Sequence, residues 1–180
     1  MADTNYNLEQ VNFLILEDNV HMRTLIRSIL NALGARSIRE AGDVETAFQM
    51  LRTSPSDMVI CDWEMEPVSG LDFVKQVRND KNSPNPQIPI IMLTAHSEMT
   101  RVMEARDSGI NEFVIKPISA KTLYARIRDI IKHPRNYVQT ETYFGPDRRR
   151  RQAQISGPDR RKGAPTAELT MEERRALLGD

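Results

Sequence analysis

The stretch Asp57-Met58-Val59-Ile60-Cys61 ("DMVIC", 57–61), followed at once by Asp62, decides how the rest of the chain is read. Its apolar run is too short for a helix and has the length and composition of a strand covered on both faces. In an open parallel sheet, the residue just past such a strand stands on the C-terminal rim, where ligands bind. The same pattern recurs along the chain. "NFLIL" (12–16) leads to Glu17 and Asp18, "IPIIML" (88–93) to Thr94, and "FVI" (113–115), opened by Phe113, to Lys116-Pro117. Carboxylates, a hydroxyl and an amine gathered on one rim suit a divalent cation and phosphoryl transfer.

Helical periodicity fills the intervals. Over 20–33, Met22, Leu25, Ile26, Ile29, Leu30 and Leu33 recur at helical spacing, and Gly34 fits the position just past a helix end. "RSIRE" (36–40) reads as a weaker strand, and Asp43 as the cap of a helix over 44–53. Further helices are expected over 70–79, 98–107 (stopping at Gly109) and 119–132 (capped by Ser119). Five strands alternating with five helices predict an α/β fold built of right-handed βαβ units around a parallel sheet.

The chain of 180 residues is 39% apolar and 28% charged, as in a soluble globular protein. Its net charge of zero is unevenly spread. Residues 1–133 hold 15 Lys/Arg against 18 Asp/Glu, and residues 134–180 hold 10 against 7. Cys61 has no second cysteine to pair with, which fits a reducing cytoplasm. No apolar run approaches the roughly 20 residues that span a bilayer, and "MADTNYNLEQ" lacks the pattern of a signal peptide. Cys61 and most of the methionines read as packing residues, His133 as a residue at a helix C-terminus, and Trp63 as loop structure.

Taken together, "LEDN" (16–19), "VICDWEM" (59–65), "LTA" (93–95) and "IKP" (115–117) resemble the receiver domain of two-component response regulators over about residues 11–133. The resemblance implies the strand order 2-1-3-4-5 for the five-stranded parallel sheet. It also implies a role for each rim residue. Asp62 matches the phosphoacceptor. Glu17 and Asp18 match the acidic pair that, with Asp62 and the backbone carbonyl of Glu64, binds Mg²⁺. Lys116 matches the lysine that pairs with the phosphoryl oxygens. Thr94 matches the hydroxyl that turns toward the phosphoryl group, and Phe113 the aromatic that turns inward with it. The implied partners are a sensor histidine kinase or phosphotransfer protein and an output protein that the sequence does not name.

The chain departs from the family pattern in two places. Glu66 stands where the family usually has proline, with Pro67 one position later, and Phe113 replaces the commoner tyrosine. The first adds a negative charge near the metal residues, and the second removes a phenol hydroxyl. Glu64 and His96 occupy positions that tune dephosphorylation in the family.

After His133-Pro134 the alternation ends. Residues 134–165, rich in Arg, Pro and Gly, are expected to be disordered or extended, and 166–180 to include a short helix with Thr170 and Glu173 in capping-box spacing. "GPDRR" occurs at 145–149 and again at 157–161. Each copy offers a proline-set turn presenting paired guanidinium groups, so Arg148, Arg149, Arg160 and Arg161 are candidate anion ligands. In composition and placement this tail resembles the arginine-rich tails with which some chemotaxis-like regulators bind cyclic di-GMP; RNA or a membrane surface would attract the same charge. The segment 134–180 is too poor in apolar helical sequence for a helix-turn-helix, so sequence-specific DNA binding is not expected.

These residues are compatible with three functions. The first is a signalling switch phosphorylated at Asp62, not an enzyme acting on an external substrate. The second is a nucleotide- or nucleic-acid-binding module working through the tail. The third is a phosphoester hydrolase using the same metal site.

Overall fold

The sheet collects Glu17, Asp62, Thr94 and Lys116, each at or just past the end of an apolar run, on one rim. The computed structural model describes residues 6–95, 107–140 and 143–147. All lie in one compact unit, Met1–Arg148; a second unit, Arg149–Asp180, lies outside the described residues.

The strands are β1 (Asn12–Leu16), β2 (Ser37–Ala41), β3 (Met58–Asp62), β4 (Ile90–Thr94) and β5 (Glu112–Ile115). They form one sheet in the order β2-β1-β3-β4-β5, every pair parallel, as the resemblance implies. Among the described residues the helices are α1 (Val20–Ala32), α2 (Val44–Thr53), α3 (Gly70–Asn79) and α4 (Ala120–Lys132). The expected helix over 98–107 lies outside the described residues, apart from the helical Asp107.

The caps are the expected ones. Asp43 accepts from Thr46 N at 2.7 Å, Ser119 and Thr122 form a capping box, Gly34 follows α1 at φ 94°, and His133 caps the end of α4. β3 and β4 are buried along their whole length, so they read as continuous apolar runs. Two apolar layers sandwich the sheet. One includes Leu16, Phe48, Val59, Phe73, Val74 and Met92; the other includes Phe13, Ile15, Ile26, Ile60, Leu93 and Leu123. Cys61 is buried in the first.

The chain does not leave the fold at His133. Residues Tyr137–Gln139 (β6) and Phe144–Pro146 (β7) pair as an antiparallel ribbon, where an extended or disordered segment is expected. Gly145 and Pro146 are therefore strand residues and not a turn, which corrects the reading of the first "GPDRR" copy. The physical reason is a buried cation. Arg78 of α3, 4% exposed, donates to the carbonyls of Gly109 (2.9 Å), Pro86 (2.7 Å) and Ile88 (2.8 Å), and more weakly to Asn111 Oδ1 (3.3 Å). The ring of Tyr137 covers the guanidinium at 5.3 Å, a cation–π contact, and its hydroxyl donates to the same Asn111 oxygen. The ribbon comes so close that a Cβ on Gly145 would lie 2.8 Å from Gly109 Cα. At Gly109, where φ is 99°, a Cβ would lie 2.8 Å from the Phe144 carbonyl oxygen. The buried Glu112 carboxylate meets Arg135 at 2.7 Å, a second tie between the sheet and the segment after α4.

Tyr137→Ala is expected to lower stability by about 2–3 kcal/mol, because it uncovers a buried guanidinium as well as removing a ring. Urea denaturation of the full chain measures this. A loss under about 0.5 kcal/mol would show that the ribbon lies outside the cooperative unit.

Candidate functional site

The rim at the C-terminal ends of β1, β3 and β5 encloses a cleft of ≈ 500 Å³. Glu17, Asp18, Asp62, Glu64 and Lys116 line it, and Asn19, His21, Met22 and Leu25 at the start of α1 form one wall. β1 ends at Leu16, and the last ladder bond, Glu17 N to the Ala41 carbonyl, turns Glu17 inward, where it is 1% exposed. Asp18 stays exposed and accepts from Glu66 N at 3.4 Å, so the acidic pair touches the loop after β3. Asn19 caps α1 by accepting from His21 N and Met22 N, and its own N–H donates to Glu17 Oε1 at 3.2 Å.

Asp62 is 2% exposed. Lys116 Nζ lies 2.8 Å from Asp62 Oδ1 and 3.7 Å from Glu17 Oε2. These two buried oxygens accept no hydrogen bond, and the ammonium meets them as an ion pair only. Lys116 is itself set by the sheet: its N–H donates to the Thr94 carbonyl at 2.8 Å, beside the cis peptide to Pro117. Thr94 is buried at the end of β4. Phe113 is half-buried against the α2/α3 layer, with the Arg126 guanidinium 5.9 Å above its ring. The structure thus brings Glu17, Asp18, Asp62, Glu64 and Lys116 into one cleft and sets Thr94 and Phe113 on the adjoining strands. Arg148, Arg149, Arg160 and Arg161 lie outside the described residues.

Glu17, Asp18 and Asp62 each offer a carboxylate oxygen within 4.8 Å of the others. Three hard oxygen donors, two of them buried with an oxygen lacking a hydrogen bond, fit a small divalent cation, and the open side of the cleft leaves room for its waters. Burial first, and the neighbouring Asp62 carboxylate second, push the Glu17 carboxyl from its ordinary 4.5 up to about 7, against the pull of the Lys116 ammonium.

This raised value makes stability depend on pH. Below the unfolded value of 4.5 both states hold the proton, and above about 7 neither does. Between the two, the folded chain binds a proton that the unfolded chain has lost, so stability falls as pH rises through that window. The loss is about 3 kcal/mol. With chelator present, Glu17→Gln should therefore stabilise the chain at about pH 8 and change it little at about pH 4.5. Urea titrations at the two pH values test this, and an equal gain at both would exclude the burial of a charged Glu17 as the cause.

Sequence reading missed Arg23. Its guanidinium Nη1 donates to the Glu17 carbonyl at 2.5 Å, from a helical position whose sequence spacing carries no sign of that contact.

The comparisons with known proteins agree with this geometry. The family model described as "Response regulator receiver domain" matches residues 13–128. Chemotaxis protein CheY-3 of Vibrio cholerae is 32% identical over 124 residues, covering 69% of this chain and 94% of that protein. Chemotaxis protein CheY of Pseudomonas aeruginosa is 33% identical over 122 residues, covering 68% and 97%. Among solved structures, Vibrio cholerae CheY4 superposes with a TM-score of 0.61 at 25% identity, covering 67% of this chain and 98% of that one. The receiver domain of Francisella response regulator 1452 shares the fold with a TM-score of 0.61 at 24% identity. With the parallel sheet, the acidic cleft and these matches in agreement, the chain belongs to the response regulator receiver domain family, related to the chemotaxis proteins of two-component signalling.

Proposed function

We propose that this chain is a phospho-accepting response regulator whose phosphorylation at Asp62 switches protein–protein contacts. The observation that carries this reading is the cleft itself: a buried Asp62 carboxylate, ion-paired with Lys116 at 2.8 Å and flanked by Glu17 and Asp18.

An oxygen of Asp62 attacks phosphorus in a phosphohistidine or a small acyl phosphate. The bond from phosphorus to the leaving group breaks, that group keeps the electron pair, and an aspartyl phosphate forms. Lys116 leaves its ion pair with Asp62 and holds a phosphoryl oxygen. The Thr94 hydroxyl is the donor available from β4, and with Phe113 on β5 it relays the new state to the surface. Glu17, Asp18, Asp62 and the Glu64 carbonyl would hold Mg²⁺, which when bound offsets the repulsion between an anionic nucleophile and an anionic donor. Water attacking the same phosphorus returns the chain to its starting state, so the chain is a switch and turns over no external substrate. The donor is a sensor histidine kinase or phosphotransfer protein. We place the chain in the cytoplasm, and assign it no sequence-specific DNA contact. Anion or cyclic di-GMP binding by the arginines after Asp147 is a separate activity of the tail, tested by calorimetry on a chain carrying Ala at 148, 149, 160 and 161.

The test of the central reading uses the full chain with acetyl phosphate. Intact mass should show one added phosphoryl group that depends on Mg²⁺ and is released by hydroxylamine, as an acyl phosphate is. A hydroxylamine-stable adduct, or one formed equally well in chelator, would exclude this mechanism.

A further inference from the structure

The side chains of Glu17 and Asp18 can act together only if the backbone between β1 and α1 is held still, and the sheet ladder reaches it only through Glu17 N, which donates to the Ala41 carbonyl. The β1–β3 register ends at Leu16 opposite Cys61, so the carbonyls of Glu17 and Asp18 lie past the ladder. Arg23, one turn into α1, reaches back to both. Its Nη1 donates to the Glu17 carbonyl at 2.5 Å and lies at the limit of hydrogen bonding, 3.5 Å, from that of Asp18. The guanidinium is itself steered from β2, where Glu40 Oε2 lies 3.6 Å from Nε. Arg27 takes the other oxygen of Glu40 at 2.6 Å and fixes that carboxylate in turn. Gly42 completes the seat, since a Cβ there would come within 3.2 Å of Arg23 Nη1.

We propose that Arg23 is a positioning residue for the acidic pair: it clamps the two carbonyls from behind, so that both carboxylates face Asp62, while Glu40 offsets its charge. The proposal rests on the reading of Glu17, Asp18 and Asp62 as a divalent-cation site. Arg23 touches neither cation nor phosphoryl group. Its effect is preorganisation, because ligands held in place before binding need not be ordered by it. A charge-assisted bond to a carbonyl is among the stronger hydrogen bonds, so its loss is felt at the ligands it orders.

The test is a Mg²⁺ titration of the full chain followed by the fluorescence of Trp63, which adjoins Asp62 in sequence. Circular dichroism and thermal melts run alongside. Arg23→Ala should weaken Mg²⁺ binding about tenfold. Arg23→Lys, with one ammonium in place of a planar fork, should fall between that variant and the wild type. Arg39→Ala, which removes guanidinium bonds to the carbonyls of Met50, Ser54 and Pro55 at the far end of α2, is the control for a structural effect; it should stay within about twofold of the wild type in Mg²⁺ affinity. If Arg23 served stability alone, the melts would fall while Mg²⁺ affinity stayed put. A folded Arg23→Ala that binds within about twofold of the wild type overturns the proposal. Should Arg23→Ala fail to fold, an Arg23→Lys variant with wild-type affinity overturns it. A wild-type chain that shows no Mg²⁺ response removes the cation site, and this proposal with it; a responsive wild type with indifferent Arg23 variants removes this proposal alone.

Discussion

Asp62→Asn is expected to abolish phosphoryl uptake, to under about a hundredth of the wild-type rate. An amide is a far weaker nucleophile than a carboxylate, and the substitution also takes a hard oxygen donor and a negative charge out of the site. The geometry leaves little to compensate. Glu17 Oε2 is the other buried oxygen facing Lys116, at 3.7 Å where Asp62 Oδ1 is at 2.8 Å, and Glu17 follows a different strand. Intact mass after incubation with acetyl phosphate and Mg²⁺ measures the outcome directly. Label that persists at the wild-type level in Asp62→Asn would move the acceptor to another side chain and end the mechanism proposed above. The same variant should bring the Glu17 carboxyl down toward its ordinary value, because the Asp62 charge is the second cause of its elevation.

Gly70→Ala is expected to destabilise the chain by about 3 kcal/mol or more and to remove its Mg²⁺ response. The N-terminus of α3 comes up against the strand that carries Asp62. A Cβ at Gly70 would lie 1.8 Å from the Asp62 carbonyl oxygen and 2.8 Å from Cys61 Sγ, and the first of these is backbone that cannot swing aside. The close approach has a purpose: Gly70 N donates to the Trp63 carbonyl at 3.0 Å and closes the loop 63–69, while Ser69 caps the helix by accepting from Asp72 N. Glu64 and the contact between Glu66 N and Asp18 belong to this loop, so moving Gly70 moves the lining of the cleft. Urea denaturation and the Trp63 titration measure the two effects separately. Stability within about 1 kcal/mol of the wild type, with an unchanged titration, would show that the loop relaxes around the methyl group.

The family relation extends this reading only as far as it covers the chain. It ends at residue 128, whereas the fold continues through the β6–β7 ribbon to Pro146. That ribbon is where this chain builds on the shared architecture. Its seat is the hydrogen-bonded Arg78 and the close pair Gly109 and Gly145.

By itself the sequence determined the order of the five strands and of the four described helices, the caps Asp43 and Ser119, and which residues end the apolar runs. The reason is local: β3 and β4 are buried on both faces and so are written as unbroken apolar runs, and each rim residue stands at or just past the end of its run. Asp43 and Ser119 act on the turn beside them, so their roles are legible over a few residues. Tertiary structure decided what depends on contacts between residues far apart along the chain. The elevation of Glu17 needs a buried Asp62 forty-five positions away. Arg23 looks like any charge on an amphipathic helix until Glu17, Glu40 and Gly42 come to meet it. The ribbon after α4 was hidden for the same reason. Its strands are only three residues long, too short to announce themselves, and what orders them is Arg78, a cation on another element that buries itself among carbonyls and needs a cover.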